Sequence, residues 1–171
     1  MVPPGVLVRE VRPEDRDRVR ELFAAGQEEM IGPDTADPVI DTVRNYTREV
    51  LEGELSDPFQ SFARPGRCLW VAEVDSHVVG TAAATADESE PGVCILGRVN
   101  VDAEYRRQGI ATSLISTAEQ WATAQGHGCM RLFTTSYQAD ALRLYRQLGY
   151  IEIGTAPYEA VTETIMEKPL T

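Results

Sequence analysis

Lysine is almost missing from this 171-residue chain: of its 16 basic residues only Lys168 is a lysine. Basic residues as a class are outnumbered by 27 Asp and Glu, and a formal net charge of −11 repels a phosphate backbone, which excludes a general nucleic-acid binder. That acidity is compatible with a cationic or amine substrate, and equally with charge carried for solubility alone. Cysteine is scarce: Cys68, Cys94 and Cys129 lie in or beside apolar runs without C-x-x-C spacing, and read as buried thiols in a reducing compartment. His77 and His127 have no second ligand two to four residues away, which excludes a metal site built on them. No run approaches about 18 consecutive apolar residues, so no membrane span is expected. No basic region followed by a long apolar stretch opens the chain, so the expected location is the cytoplasm. A P-loop, a Gly-x-Gly-x-x-Gly turn and a Gly-x-Ser-x-Gly elbow are all missing, which sets aside the nucleotide-binding and hydrolase classes they mark. Repeats and low-complexity segments are lacking too. With 43% hydrophobic and 25% charged residues, the chain reads as one globular domain over residues 1–171.

The chemistry concentrates in residues 99–112. Val99 and Val101 end an apolar, β-branched run, and the chain then turns polar through Asp102, Glu104, Arg106 and Arg107. From Ile110 the pattern is helical, with Leu114, Ile115, Ala118, Trp121 and Ala122 sharing a face. The order is strand, turn, helix, and the turn reads Arg106-Arg107-Gln108-Gly109-Ile110-Ala111. The first N–H groups of a helix lack partners, and the macrodipole puts roughly half a positive charge there. Gly109 supplies a turn without a Cβ, and two guanidinium groups flank it. Such a corner suits a phosphate or diphosphate, although an arginine-flanked helix start serving no ligand has the same local pattern.

Elsewhere, strand patterns cover residues 6–11, 68–74, 77–84, 93–101, 130–135, 151–153 and 161–166. Helical faces run from Val19 to near Gly26, from Val39 to about Gly53, from Ile110 to Gly126, and through Ala141, Leu144, Tyr145 and Leu148. Asp75-Ser76 reads as a hairpin turn, residues 31–38 as a breaker-rich loop and residues 56–66 as an irregular connection. The expected class is α/β (α+β): about seven strands, mostly antiparallel in one mixed sheet, flanked by about four helices.

The strand, Val-Asp turn and Arg-x-x-Gly-Ile-Ala helix start resemble the cofactor motif of the GNAT (Gcn5-related) N-acetyltransferase family. The run from Gln138 through Ala141, Leu144 and Tyr145 to Leu148-Gly149-Tyr150 is similar to the family's second signature, commonly Asn-x-x-Ala-x-x-Leu-Tyr followed by Leu-Gly-aromatic. The resemblance implies an acetyl-CoA-dependent N-acetyltransferase that moves an acetyl group to a primary amine of a small molecule or peptide, by direct attack in a ternary complex. It implies a sheet that opens between the strands ending at Val101 and Thr135, with the pantetheine arm in the gap. Val99, Asn100 and Val101 would orient the thioester, and Arg106, Arg107, Gln108, Gly109, Ile110, Ala111 and Thr112 would hold the diphosphate. No metal is implied. Homodimers are frequent in the family, so a homodimer is an open expectation here.

The remaining roles are less specific. A thiol titrates near about 8.5 and a phenol near about 10, so Tyr145 could protonate the departing thiolate, as the tyrosine of the second signature commonly does. On pattern alone it reads first as a core aromatic on the face of Leu148, and the resemblance reverses that preference. Gln138 stands where the family often has asparagine, and its amide could bond the pantetheine. Many members carry a glutamate base on the fourth strand, but here that strand offers Cys94, Ile95, Leu96, Gly97 and Arg98. Glu73, on the preceding strand pair, is the nearest substitute, or a solvent-facing strand residue. Arg98 could bind a substrate carboxylate bidentately or pair with a structural acid. The missing fourth-strand carboxylate keeps a second reading open: a non-catalytic acyl-CoA-binding or regulatory module of the same fold. Acceptor choice would fall to the first two helices and the loop at residues 31–38.

Overall fold

The computed structural model describes residues 2–171. One seven-stranded sheet runs in the order β1-β2-β3-β4-β5-β7-β6, formed by β1 (Val6–Glu10), β2 (Arg67–Val74), β3 (His77–Ala86), β4 (Val93–Val101), β5 (Cys129–Thr135), β6 (Ile151–Tyr158) and β7 (Val161–Pro169). Every pairing is antiparallel except β4 with β5. Five α-helices flank it: α1 (Arg16–Glu28), α2 (Asp37–Glu52), α3 (Pro58–Phe62), α4 (Ile110–Ala124) and α5 (Ala139–Gln147). The expected class and strand number hold.

Period-2 alternation on β2 and β3 sorts their residues onto two cores. Cys68, Trp70 and Ala72 join the α4 side with Leu114, Ile115, Ala118 and Met130. Leu69 and Val71 join the α1–α3 side with Val19, Leu22, Phe23, Val50 and Phe62. The ring of Trp70 meets that of Trp121 edge-on, centroids 5.7 Å apart. The β2–β3 turn is the expected Asp75-Ser76 pair, both at positive φ, as a two-residue hairpin requires.

Some boundaries differ from expectation, for local reasons. Residues 58–62 form a helical turn instead of an irregular connection: the Asp57 side chain accepts from the Gln60 N–H at 3.1 Å, Pro58 sits at the first position, and Phe62 is buried. This raises the helix count to five. Helix α1 runs through Gly26 to Glu28, and that glycine packs so closely against the Asn100 side chain that a Cβ there would collide with it. Strand β6 extends beyond residue 153 to Tyr158, and a tight turn at Glu159, with φ of 50°, leads into β7.

Among the described residues no helix is long and apolar enough to cross a membrane.

Helix α4 packs closely over β3 at Gly80, where a Cβ would lie 3.0 Å from Leu114 Cδ1, 3.2 Å from the Asn100 carbonyl and 3.3 Å from Ile110 Cγ2. Two of these neighbours are buried core side chains and the third is backbone, so the crowding has little relief. Gly80→Ala is expected to destabilise the fold by about 1–3 kcal/mol, read as a lower urea midpoint at unchanged slope.

Candidate active site

Strands β4 and β5 pair over only three positions, Val93–Cys129, Cys94–Met130 and Ile95–Arg131. Both strands continue, to Val101 and Thr135, with no strand between them. A bulge drives the parting. Thr81 pairs with Asn100 and Ala83 with Gly97, so Arg98 and Val99 together face the single residue Ala82. Arg98 takes φ of 53°, uncommon for a residue with a side chain, and its carbonyl accepts from Thr81 Oγ1 at 2.7 Å. Bulges bend a strand and redirect side chains, and this one turns Arg98 toward the α1–α2 face.

Two cavities meet at the gap. One, of about 750 Å³, is lined by the β4 end, the loop before α4, the first turn of α4 and α5. The other, of about 390 Å³, lies among Phe23, Gln27, Thr42, Tyr46, Arg98 and Glu163, on the side of α1 and α2. Six residues line both: Met30, Val99, Asn100, Tyr137, Gln138 and Tyr145. The expected residues Val99, Asn100, Gln138 and Tyr145 therefore converge on the junction.

In the larger cavity, Gly109 precedes α4 with φ of 82°, a conformation that only glycine adopts without strain, and among the described residues no side chain caps the helix. The first-turn N–H groups of Ile110, Ala111 and Thr112 are thus left for a ligand. The Ile110 side chain itself is core. Arg107 is exposed and has no hydrogen-bond or ion-pair partner among the described residues. Arg106 is committed: Nη1 lies 2.8 Å from Glu29 Oε2, Nη2 donates to Glu29 Oε1 at 2.8 Å, and Nε donates to the Val101 carbonyl at 3.1 Å. It ties the loop to α1 and β4, and its charge is shared with Glu29. Gln108 is exposed and lies outside both cavity linings. One exposed, unpaired guanidinium and a glycine-led helix start still fit a diphosphate.

Tyr145 is buried against Tyr150, ring centroids 5.9 Å apart, and its hydroxyl has no protein partner among the described residues. Burial pushes its pKa up to about 12, so the phenol keeps its proton throughout the neutral range. Gln138 is fixed by Thr134, whose Oγ1 lies 3.1 Å from Gln138 Oε1. Thr135 Oγ1 is buried in the smaller cavity without a partner.

Arg98 is clamped there. Its Nε donates to Glu54 Oε2 at 2.8 Å, its Nη1 to the Tyr46 hydroxyl at 2.8 Å, and the guanidinium lies 5.4 Å from the Phe23 ring centroid. Glu54 is bridged to Arg67 as well, so one carboxylate holds two guanidinium groups. The structural pairing open at the sequence level is therefore present, and the Nη2 edge stays available to a ligand.

Glu73 is not part of this assembly. It lines neither cavity; it accepts from Arg9 Nε, and Arg9 is in turn held by buried Asp15 at 2.7 and 2.9 Å. The pairing of β1 with β2 sets Leu7 opposite Glu73, away from the gap.

Two acidic residues of the smaller cavity escape sequence reasoning, Glu54 and Glu163, and of these Glu163 is the one without a partner among the described residues. On β7 it pairs with Thr135 of β5 and Ala156 of β6, it is half-buried, and it has no hydrogen-bond or ion-pair partner among the described residues. Burial raises its pKa above the usual carboxylate value. A signal existed: Val161, Glu163 and Ile165 alternate on one strand face, an acid set in an apolar stripe.

Over residues 37–150 the chain matches the acetyltransferase (GNAT) family. It is 33% identical to human N-acetylaspartate synthetase over 117 residues, 68% of this chain and 38% of that protein. It is 36% identical to human N-acetyltransferase 8B over 114 residues, 64% of this chain and 50% of that protein. The chain therefore spans half or less of the length of these relatives. Its fold is similar to that of the PaiA N-acetyltransferase from Thermoplasma acidophilum in complex with coenzyme A, with a TM-score of 0.78 at 18% identity, covering 96% of this chain and 98% of the other. The fold thus has a counterpart among solved structures, and with well over half of its length inside the family match, this chain belongs to the GNAT acetyltransferase family.

Proposed function

We propose that this protein is an acetyl-CoA-dependent N-acetyltransferase whose acceptor is a small primary amine bearing a carboxylate. The observation that carries the reading is the meeting of two cavities at Tyr145, one fitted to a diphosphate and one fitted to a polar acceptor. Bound there, acetyl-CoA supplies an acetyl thioester whose carbonyl carbon is the electrophile. The α4 amides and Arg107 hold the diphosphate. The free edge of β4 around residues 99–101 lies beside the junction, where backbone groups can align the acyl group. Tyr145, protonated through the working pH range, donates to the departing sulfur. With both reactants held at one junction, the amine attacks directly and no protein nucleophile is needed.

The carboxylate on the acceptor is supported by Arg98, whose remaining donors face the smaller cavity, and by Thr135 Oγ1, which lacks a protein partner. The human relative's name, N-acetylaspartate synthetase, is consistent with an amino-acid acceptor. Tyr145, which lines both cavities with its hydroxyl unpartnered among the described residues, favours the enzyme over a module that only binds acyl-CoA.

Two substitutions test this. Tyr145→Phe keeps the ring and removes the donor, so kcat is expected to fall by about 10²-fold with coenzyme A affinity unchanged. Unaltered kcat contradicts the role. Arg98→Lys keeps the charge but loses the planar fork, so the acceptor KM for L-aspartate and related acidic amines is expected to rise by about tenfold, with the acetyl-CoA KM unchanged.

A further inference from the structure

The acceptor reaches the active site as an ammonium ion, which has no lone pair for attack. A group must take its proton, and that group must face the acceptor cavity, be free of other partners and titrate below the working pH. Few residues qualify. Two carboxylates line the smaller cavity, Glu54 and Glu163. Glu54 is already engaged by both Arg67 and Arg98. The two histidines line neither cavity. Glu73 is locked in its ion pair with Arg9. That leaves Glu163.

Resting on the function proposed above, we infer that Glu163 is the catalytic base, binding the acceptor ammonium and removing its proton from the β7 side of the cavity. The register puts it in place. Strand β7 inserts between β5 and β6, and Glu163 stands opposite Thr135 at the end of β5, where β5 has parted from β4. It shares the acceptor cavity with Tyr145, at the junction, and with Arg98, so a zwitterionic acceptor meets opposite charges at its two ends. Of the titratable groups, Tyr158 on β6 interacts with it electrostatically, and Tyr46, Glu54, Arg98, Tyr137, Tyr145 and Tyr158 line the same cavity. On β5, Arg131 is engaged by Glu167, Glu90 and Asp87. No cation among the described residues pairs with Glu163. Burial raises its proton affinity, which brings a carboxylate nearer to the strength a base needs.

The step balances. Glu163 takes one proton from the ammonium, and the free amine nitrogen bonds to the thioester carbonyl carbon. The C–S bond breaks, the thiolate takes the Tyr145 proton, and the proton shed by the acylated nitrogen restores the phenol. Glu163 returns its proton to water, so one proton is released per amide formed.

The test is kcat/KM against pH, by thiol release from acetyl-CoA with L-aspartate and a panel of primary amines, for the wild type, Glu163→Gln, Glu163→Asp and Tyr145→Phe. Coenzyme A calorimetry and thermal melts verify that each variant is folded. Glu163→Gln is expected to lose about 10²-fold at neutral pH, with the deficit shrinking as pH approaches the pKa of the amine itself. Glu163→Asp is expected to recover part of the rate. A glutamine variant with the wild-type rate, or with the same deficit at every pH, overturns the role of Glu163 while leaving the proposed function standing. Wild-type protein that binds coenzyme A but turns over no amine overturns both.

Discussion

The separation of β4 from β5 beyond Ile95 and Arg131 is the constraint on which the rest of the site depends. Parallel neighbours normally continue as a ladder, and leaving two facing edges open inside a protein is unfavourable unless something else holds them apart. Here β4 is held from its other side. The bulge at Arg98 bends it, the Thr81 hydroxyl binds the Arg98 carbonyl, and the Asp102 N–H donates to the Val79 carbonyl at 2.8 Å. Arg18 of α1 pairs with Asp102 just past the strand end. A left-handed non-glycine residue costs on the order of 1–3 kcal/mol, which the clamp of Glu54, Tyr46 and Thr81 offsets.

The gap explains how an acidic protein handles an anionic cosubstrate. Overall charge is −11, yet the larger cavity presents bare helix amides and the free guanidinium of Arg107. These local terms act at contact distance, while the distributed surface charge is screened over about 10 Å. Across the sheet the polarity is mixed, with Arg98 and Glu163 lining the same cavity. Tyr145 lies where the two environments join, and its burial keeps the phenol protonated.

Much of the framework was legible because it is encoded locally. Alternation marked β2, β3 and β4, the i, i+3, i+4 spacing marked α4 and α5, and the Asp75-Ser76 turn was read correctly. The short helix α3 was missed, although Asp57-Pro58 carries both a cap and a first-turn proline. Non-local facts were harder. Whether Glu73 faces the gap depends on the β1–β2 register and on Arg9, four residues into another strand. Glu163 enters the site through the β5–β7 pairing, which joins positions 28 residues apart, and no local pattern fixes that register. Likewise the commitment of Arg106 to Glu29 follows from the packing of α1, not from the motif around it.

The most direct measurement follows backbone amide resonances while coenzyme A is titrated into the protein. The expected result is saturable binding, with the largest shifts at Gly109, Ile110, Ala111 and Thr112 and a second group along residues 99–101 and at Tyr145. Saturable binding with shifts confined to another surface, or no shift at α4 at millimolar coenzyme A, would contradict the account.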